Sequence, residues 1–212
     1  MDDVTLGAGN LAGTGVYAAR DFASGEVVVR FELQPLNEAE YRALPVGEEL
    51  FVHSYGGRRY LYPAPARFVN HCDDPSCYPD LDRGCDVALR PIAKGEPITI
   101  DSHQETAREL DTFLDAYRCA LDDRSVLALD ALVDSEATLW LHGGAFHGRV
   151  EVVAALIDGK QGTLSEAAWL VGTGRWEALC SSNAELSDGR RHITMLLRII
   201  AGNWQMVYQH IG

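Results

Sequence analysis

The sequence predicts two domains: a mainly β domain over residues 1–104, followed by an α+β domain over residues 105–212. Three observations predict this. Short apolar runs separated by Gly and Pro turns fill the first half. A helical period starts at Thr106 and persists for several turns. After residue 162 only strand signals remain, so helices precede a run of antiparallel strands that must bury one face on them.

In the first half, Val27–Phe31, Val87–Leu89 and Ile98–Ile100 read as strands, rich in β-branched residues. Ala23-Ser24-Gly25, Pro63-Ala64-Pro65 and Ala93-Lys94-Gly95 supply the turns between them. Residues 37–52 can carry one short helix, because Asn37 is followed three residues later by Glu40, the signature of a reciprocal cap.

In the second half, Leu110, Phe113, Leu114, Tyr117 and Leu121 fall on one face of a helix that Asp122-Asp123 ends. A second helix fits 125–133, capped by Ser125, with Val126, Leu129, Leu132 and Val133 inward. Thr138–His142 reads as a strand and Gly148–Ile157 as a helix with Val152, Val153 and Leu156 inward. Strands follow at about 165–171, 175–186, 191–201 and 204–211, with hairpin turns at Asp188-Gly189 and Gly202-Asn203. Strand alternation puts Trp204, Met206, Tyr208 and His210 on one face. No internal repeat is expected.

Hydrophobic residues make up 47% of the 212 and charged residues 23%, an ordinary globular balance. The net charge is -13, shared as -7 over 1–104 and -6 over 105–212. Neither half carries the basic footprint of a nucleic-acid binder, and the acidic surface favours a basic partner. No run of 18 apolar residues exists, so no membrane span is expected. The acidic start, Met1-Asp2-Asp3, lacks a signal-peptide pattern, and five irregularly spaced cysteines argue for a reducing cytoplasm.

Three segments carry the chemistry of the first half. They are Gly13-Thr14-Gly15-Val16-Tyr17, continuing to Asp21-Phe22-Ala23-Ser24-Gly25-Glu26; Arg67-Phe68-Val69-Asn70-His71-Cys72; and Leu89-Arg90-Pro91-Ile92-Ala93-Lys94-Gly95-Glu96-Pro97-Ile98-Thr99-Ile100. Gly13 and Gly15 allow close backbone approach to a bound molecule that a Cβ would block. In this order the segments resemble the SET domain of protein-lysine methyltransferases over about residues 6–102. The resemblance implies a β-clip fold and a site for S-adenosyl-L-methionine formed by Gly13, Gly15, Tyr17, Arg67, Phe68, Asn70 and His71. It implies methyl transfer to a protein lysine or another amine, achieved mainly by positioning and electrostatics. The family's closing tyrosine falls at Ser102, a departure from the pattern. The catalytic candidates are therefore Ser102 with Tyr60 and Tyr62, which precede the second segment. The family's zinc-binding tail is missing, and the spacing of Cys72, Cys77 and Cys85 matches no common zinc pattern, so no metal is expected.

In the second half, Phe113–Tyr117, Leu139–Gly144, Phe146–Val152 and Gly202–His210 resemble the SnoaL-like cone superfamily, relatives of ketosteroid isomerase with a cystatin-like curved sheet. The resemblance implies an open cone with polar groups at its base, for which Tyr117, Trp140, His142, Trp204, Tyr208 and His210 are the candidates. It also implies a homodimer through the sheet, with Ile193, Met195, Leu197 and Ile199 as the contact face. Two readings stand beside the methyltransferase. One is a small-molecule isomerase, cyclase or hydrolase working in the cone, with the SET-like part as scaffold. The other is a non-catalytic ligand-binding protein. The expected partner is a basic protein tail or a small-molecule substrate.

Overall fold

The computed structural model describes residues 3–9, 13–141, 143–159, 163–164, 167–172, 177–186 and 189–212. The chain packs as two units. The first is Met1–His53 with Tyr60–Thr106; the second is Ser54–Arg59 with Ala107–Gly212. No helix among the described residues is long and apolar enough to cross a membrane.

The first ten strands are short: β1 (Val4–Ala8), β2 (Thr14–Ala18), β3 (Val27–Arg30), β4 (Gln34–Leu36), β5 (Val52–Tyr55), β6 (Arg58–Leu61), β7 (Asn70–His71), β8 (Cys77–Asp80), β9 (Cys85–Ala88) and β10 (Pro97–Ile100); all belong to the first unit except the Ser54–Arg59 part of β5 and β6. They form three sheets in the orders β1-β2-β10-β7, β3-β9-β8 and β4-β6-β5. The expected helix exists as α1 (Glu38–Arg42), because Asn37 and Glu40 cap each other: Glu40 N–H donates to Asn37 Oδ1 at 3.0 Å and Asn37 N–H to Glu40 Oε2 at 2.8 Å.

A repeat that the sequence reading missed organises this unit. Arg20-Asp21-Phe22-Ala23-Ser24-Gly25-Glu26 and Arg90-Pro91-Ile92-Ala93-Lys94-Gly95-Glu96 form the same turn twice. In each, the glutamate carboxylate accepts the amide three residues back, Ala23 at 2.9 Å and Ala93 at 3.0 Å. Each glycine sits at positive φ, +81° and +87°, which only glycine adopts without strain. Phe22 and Ile92 exchange both backbone hydrogen bonds, and Gly25 and Gly95 donate to Ala88 and Ala18, each two residues ahead of the other copy's arginine. Seven residues with only four identities give too little self-similarity to register as a repeat until the copies are seen to pair.

The second unit carries α2 (Ser102–Asp122) from Ala107 onward, α3 (Val126–Leu132) and α4 (Arg149–Asp158) with β11 (Val133–Leu141), β12 (Gly144–His147), β13 (Thr163–Leu164), β14 (Ala168–Val171), β15 (Glu177–Leu186), β16 (Gly189–Ile200) and β17 (Asn203–Ile211). The order is β12-β11-β17-β16-β15-β13, with β14 also on β15. Helices precede a long, mainly antiparallel sheet, the expected α+β arrangement of the cone fold. Most of the helical face read from the sequence is the buried one: Leu110, Phe113, Leu114 and Tyr117 on α2, Leu129 and Leu132 on α3, and Val152, Val153 and Leu156 on α4 all join one core, but Val126, expected inward on α3, is exposed. Helix α2 starts four residues earlier than its apolar period suggests. The Asp101 carboxylate accepts the His103 amide at 2.9 Å and caps it.

Two expectations about the sheet are corrected. Ile193, Met195 and Leu197 lie fully buried in the core and Ile199 packs against it. This is the helix-covered face of β16, not a free contact face. Nor does the face of β17 run unbroken. Its register with β16 skips a residue between Leu196↔Tyr208 and Leu197↔Met206, and a bulge of this kind reverses side-chain phase. Trp204 and Met206 point into the core, and beyond the bulge Gln209 does so in place of Tyr208 and His210.

Candidate functional site

Strand β10 joins the sequence segments singled out above. It pairs antiparallel with β2, Pro97↔Tyr17 and Ile98↔Val16, and parallel with β7, Thr99↔Asn70 and Ile100↔His71. One short apolar strand therefore brings the glycine hairpin and the Asn-His pair to the same end of a sheet. Ser76 fixes β10 in place: its hydroxyl accepts the Thr99 amide at 2.9 Å, and its own amide donates to Thr99 Oγ1 at 3.0 Å.

The two sides touch. Asn70 Nδ2 donates to the Thr14 carbonyl at 3.5 Å, and a Cβ placed on Gly15 would come within 3.2 Å of that nitrogen. Gly13 sits at φ +66°, with no described atom within 4 Å of where its Cβ would stand. Among the described residues nothing crowds the backbone there, which suits close approach by a ligand. Tyr17 packs its ring across the hairpin, where a Cβ on Gly7 would meet it at 3.0 Å, and its hydroxyl donates to the Ala8 carbonyl.

His71 is held from both ring nitrogens. Nδ1 accepts the Ser102 amide at 3.2 Å, so the neutral ring carries its proton on Nε2, which faces Asp73 Oδ1 at 3.2 Å. Ser102 itself is buried at the start of α2, and its carbonyl accepts the Thr106 hydroxyl at 3.2 Å.

Arg67 and Phe68 hold the turn that delivers Asn70. The Arg67 guanidinium donates to Glu48 Oε2 at 2.7 Å and to the Tyr62 carbonyl at 2.9 Å, and it lies 4.8 Å from the centre of the Phe51 ring. Phe68 meets Phe51 edge-on at 5.8 Å. Tyr62 is buried between Phe31 and His53, ring centres 5.1 and 4.6 Å away, and Tyr60 is half-buried on β6. Cys77 and Cys85 are fully buried in β8 and β9, and burial pushes the Cys77 thiol up to about 12. Sequence reasoning passed over Asp101 and His103, which flank Ser102 and lie beside His71: Asp101 Oδ1 is 3.8 Å from His71 Nδ1, and the two imidazole centres are 5.0 Å apart. The signal was present in the run Asp101-Ser102-His103, directly after the third segment.

A cleft of about 870 Å³ lies elsewhere in the first unit, framed by residues 3–6, 26–30, Ala64 and Pro65. It contains none of the glycine, asparagine or histidine residues above.

Residues 13–101 match the SET domain. Among solved structures, a candidate histone methyltransferase of Plasmodium falciparum aligns at 17% identity, covering 48% of this chain and 93% of its own, with a TM-score of 0.39. A cystatin-fold protein of Caulobacter vibrioides aligns at 16% identity over 50% of this chain and 88% of its own, with a TM-score of 0.42. An NTF2-like protein with a cystatin-like fold from Novosphingobium aromaticivorans aligns at 18% identity over 52% and 82%, also at 0.42. No curated protein matches the chain. The matched SET segment contains β2, the Asn70-His71 pair and β10, and it stops one residue before Ser102.

The residues expected to line the cone do not share one space. Tyr117 and Trp204 are fully buried; the Tyr117 hydroxyl donates to Gln209 Oε1 at 2.6 Å and the Trp204 indole N–H to Glu109 Oε2 at 2.8 Å. Trp140 pairs with His210, and both are exposed on the opposite face. Tyr208 also lies on that outer face, set there by the bulge, and His142 lies outside the described residues.

Proposed function

We propose that the SET-like unit binds S-adenosyl-L-methionine at the corner between Gly13–Gly15 and Asn70–His71 and methylates an amine. The observation that supports this reading is the approach of Asn70 Nδ2 to the Thr14 carbonyl beside a glycine backbone that no described residue crowds. Gly13 and Gly15 would admit the cofactor against the main chain. The Asn70 amide can both donate to and accept from its polar ends. When bound, the sulfonium supplies the methyl group. The chain's own part is to hold the acceptor amine in line and to keep competing water out.

Ser102 stands where the family has a tyrosine hydroxyl, and it is buried in the first turn of α2. The role of orienting the amine therefore passes to Tyr60, half-buried on β6, in preference to Tyr62, which is stacked into the interior. The net charge of -13 favours a basic acceptor such as a lysine-rich protein tail, or a cationic small molecule.

Calorimetric titration of the full chain with S-adenosyl-L-methionine tests the reading. Saturable heat is expected, weakened roughly tenfold in Asn70→Ala, about the cost of one positioned polar contact. No heat at millimolar cofactor would end the proposal, and undiminished affinity in a folded Asn70→Ala would remove Asn70 from the site.

A further inference from the structure

We infer that His71, Asp101 and His103 form a binding site for a divalent transition-metal ion. One donor atom from each lies within 4.8 Å of the others. Around a single ion with bonds of about 2.0–2.2 Å, donors stand roughly 3.5 Å apart, so the set needs to close by about an ångström. His103 can supply that movement, because it is exposed on the first turn of α2.

The arrangement around His71 selects which nitrogen binds. Nε2 carries the proton and faces Asp73 Oδ1 at 3.2 Å, while Nδ1 holds the lone pair and lies 3.8 Å from Asp101 Oδ1. The ion takes the Nδ1 side, in place of the Ser102 amide that this nitrogen now accepts at 3.2 Å. Asp73 then becomes the outer carboxylate that receives the opposite N–H, the partner that metal-bound histidines usually have. Two carboxylates, Asp73 and Asp101, beside the two imidazoles give the corner the anionic groups that suit a divalent cation.

The donor types narrow the metal. Two imidazole nitrogens and one carboxylate suit zinc, cobalt, nickel or iron(II) over magnesium or calcium, which prefer all-oxygen sites. Three protein ligands leave positions open to water or to a second ligand. The site lies next to Asn70, at the edge of the proposed cofactor corner, yet it does not depend on that proposal: metal uptake is measured without S-adenosyl-L-methionine.

The test is titration of chelator-stripped full-length protein with Co²⁺, read by visible absorption, and with Zn²⁺, read by competition with a chromophoric chelator. One equivalent of Co²⁺ with nitrogen–oxygen bands and no thiolate charge-transfer band is expected. His103→Ala, at an exposed position, should weaken Zn²⁺ binding at least tenfold. Asp73→Asn should weaken it by roughly tenfold, the usual loss for an outer partner. A thiolate band would overturn the site by moving the metal to a cysteine such as Cys72. So would no uptake by the wild type, or unchanged affinity in His103→Ala.

Discussion

A Cβ on Gly15 would lie 3.2 Å from Nδ2 of Asn70 and 3.2 Å from the Cα of Gly9, so this glycine is what lets the hairpin close on the asparagine. Gly15→Ala leaves an ordinary strand residue and forces the neighbours apart by a few tenths of an ångström. The expected result is a loss of S-adenosyl-L-methionine affinity of about tenfold or more with only a small fall in melting temperature. If calorimetry gives equal affinities for both proteins, the hairpin–asparagine contact has no part in the site.

Asp86 is buried in β9, and desolvation, helped by the charge of Glu105, holds its carboxyl well above the usual range. The folded state therefore keeps this proton more tightly than the unfolded chain does. The stabilisation is fully present below the unfolded carboxylate range near pH 4, and it is lost as pH rises through the raised native value. Asp86→Asn removes that loss. Thermal melts from about pH 4 to about pH 8 should show the variant gaining on the wild type as pH rises. A constant gap across that range would mean that Asp86 is not protonated in the native state.

Tyr117 and Gln209 share a hydrogen bond of 2.6 Å in the core of the second unit, and Gln209 Nε2 has no partner among the described residues. Tyr117→Phe leaves the amide with neither bond satisfied and should cost about 1–3 kcal/mol. At about 2–4 °C of melting temperature per kcal/mol, that is several degrees. The double variant Tyr117→Phe with Gln209→Met replaces both polar groups and should recover most of the loss. Additive losses in the double variant would show that shape, not the polar pair, sets the cost.

The homodimer that the resemblance implies would have to use the outer row of the second unit's sheet. Leu170↔Leu179↔Leu196↔Tyr208 stand side by side across β14, β15, β16 and β17, and Leu170 is 70% exposed. A second copy covering this row would be dispersed by Leu179→Arg, and sedimentation should report monomer where the wild type gives dimer. A variant that stays dimeric places the contact elsewhere, and a monomeric wild type removes the expectation.

Helix faces, caps and domain order were legible because they depend on local periodicity. Leu110, Phe113, Leu114 and Tyr117 turned inward as their spacing required, and Asn37 and Glu40 capped each other. The phase of β17 was not legible. A bulge is decided by how β16 and β17 pair, and nothing within residues 203–211 marks the residue that is skipped. The histidine–aspartate corner lay between these cases. Its residues are visible in the sequence, but their meeting depends on a parallel pairing between β7 and β10, strands more than twenty residues apart.

The sequence by itself determined the order of the parts: a glycine hairpin, an Asn-His pair and a closing strand, then helices and a sheet. Each rests on contacts within a few turns or strands of chain. Only the tertiary structure decided which side chains share a space, because that depends on register between distant strands. It set Asn70 against Thr14, assembled Asp101 and His103 around His71, and sent Trp204 into the core while Tyr208 and His210 faced outward.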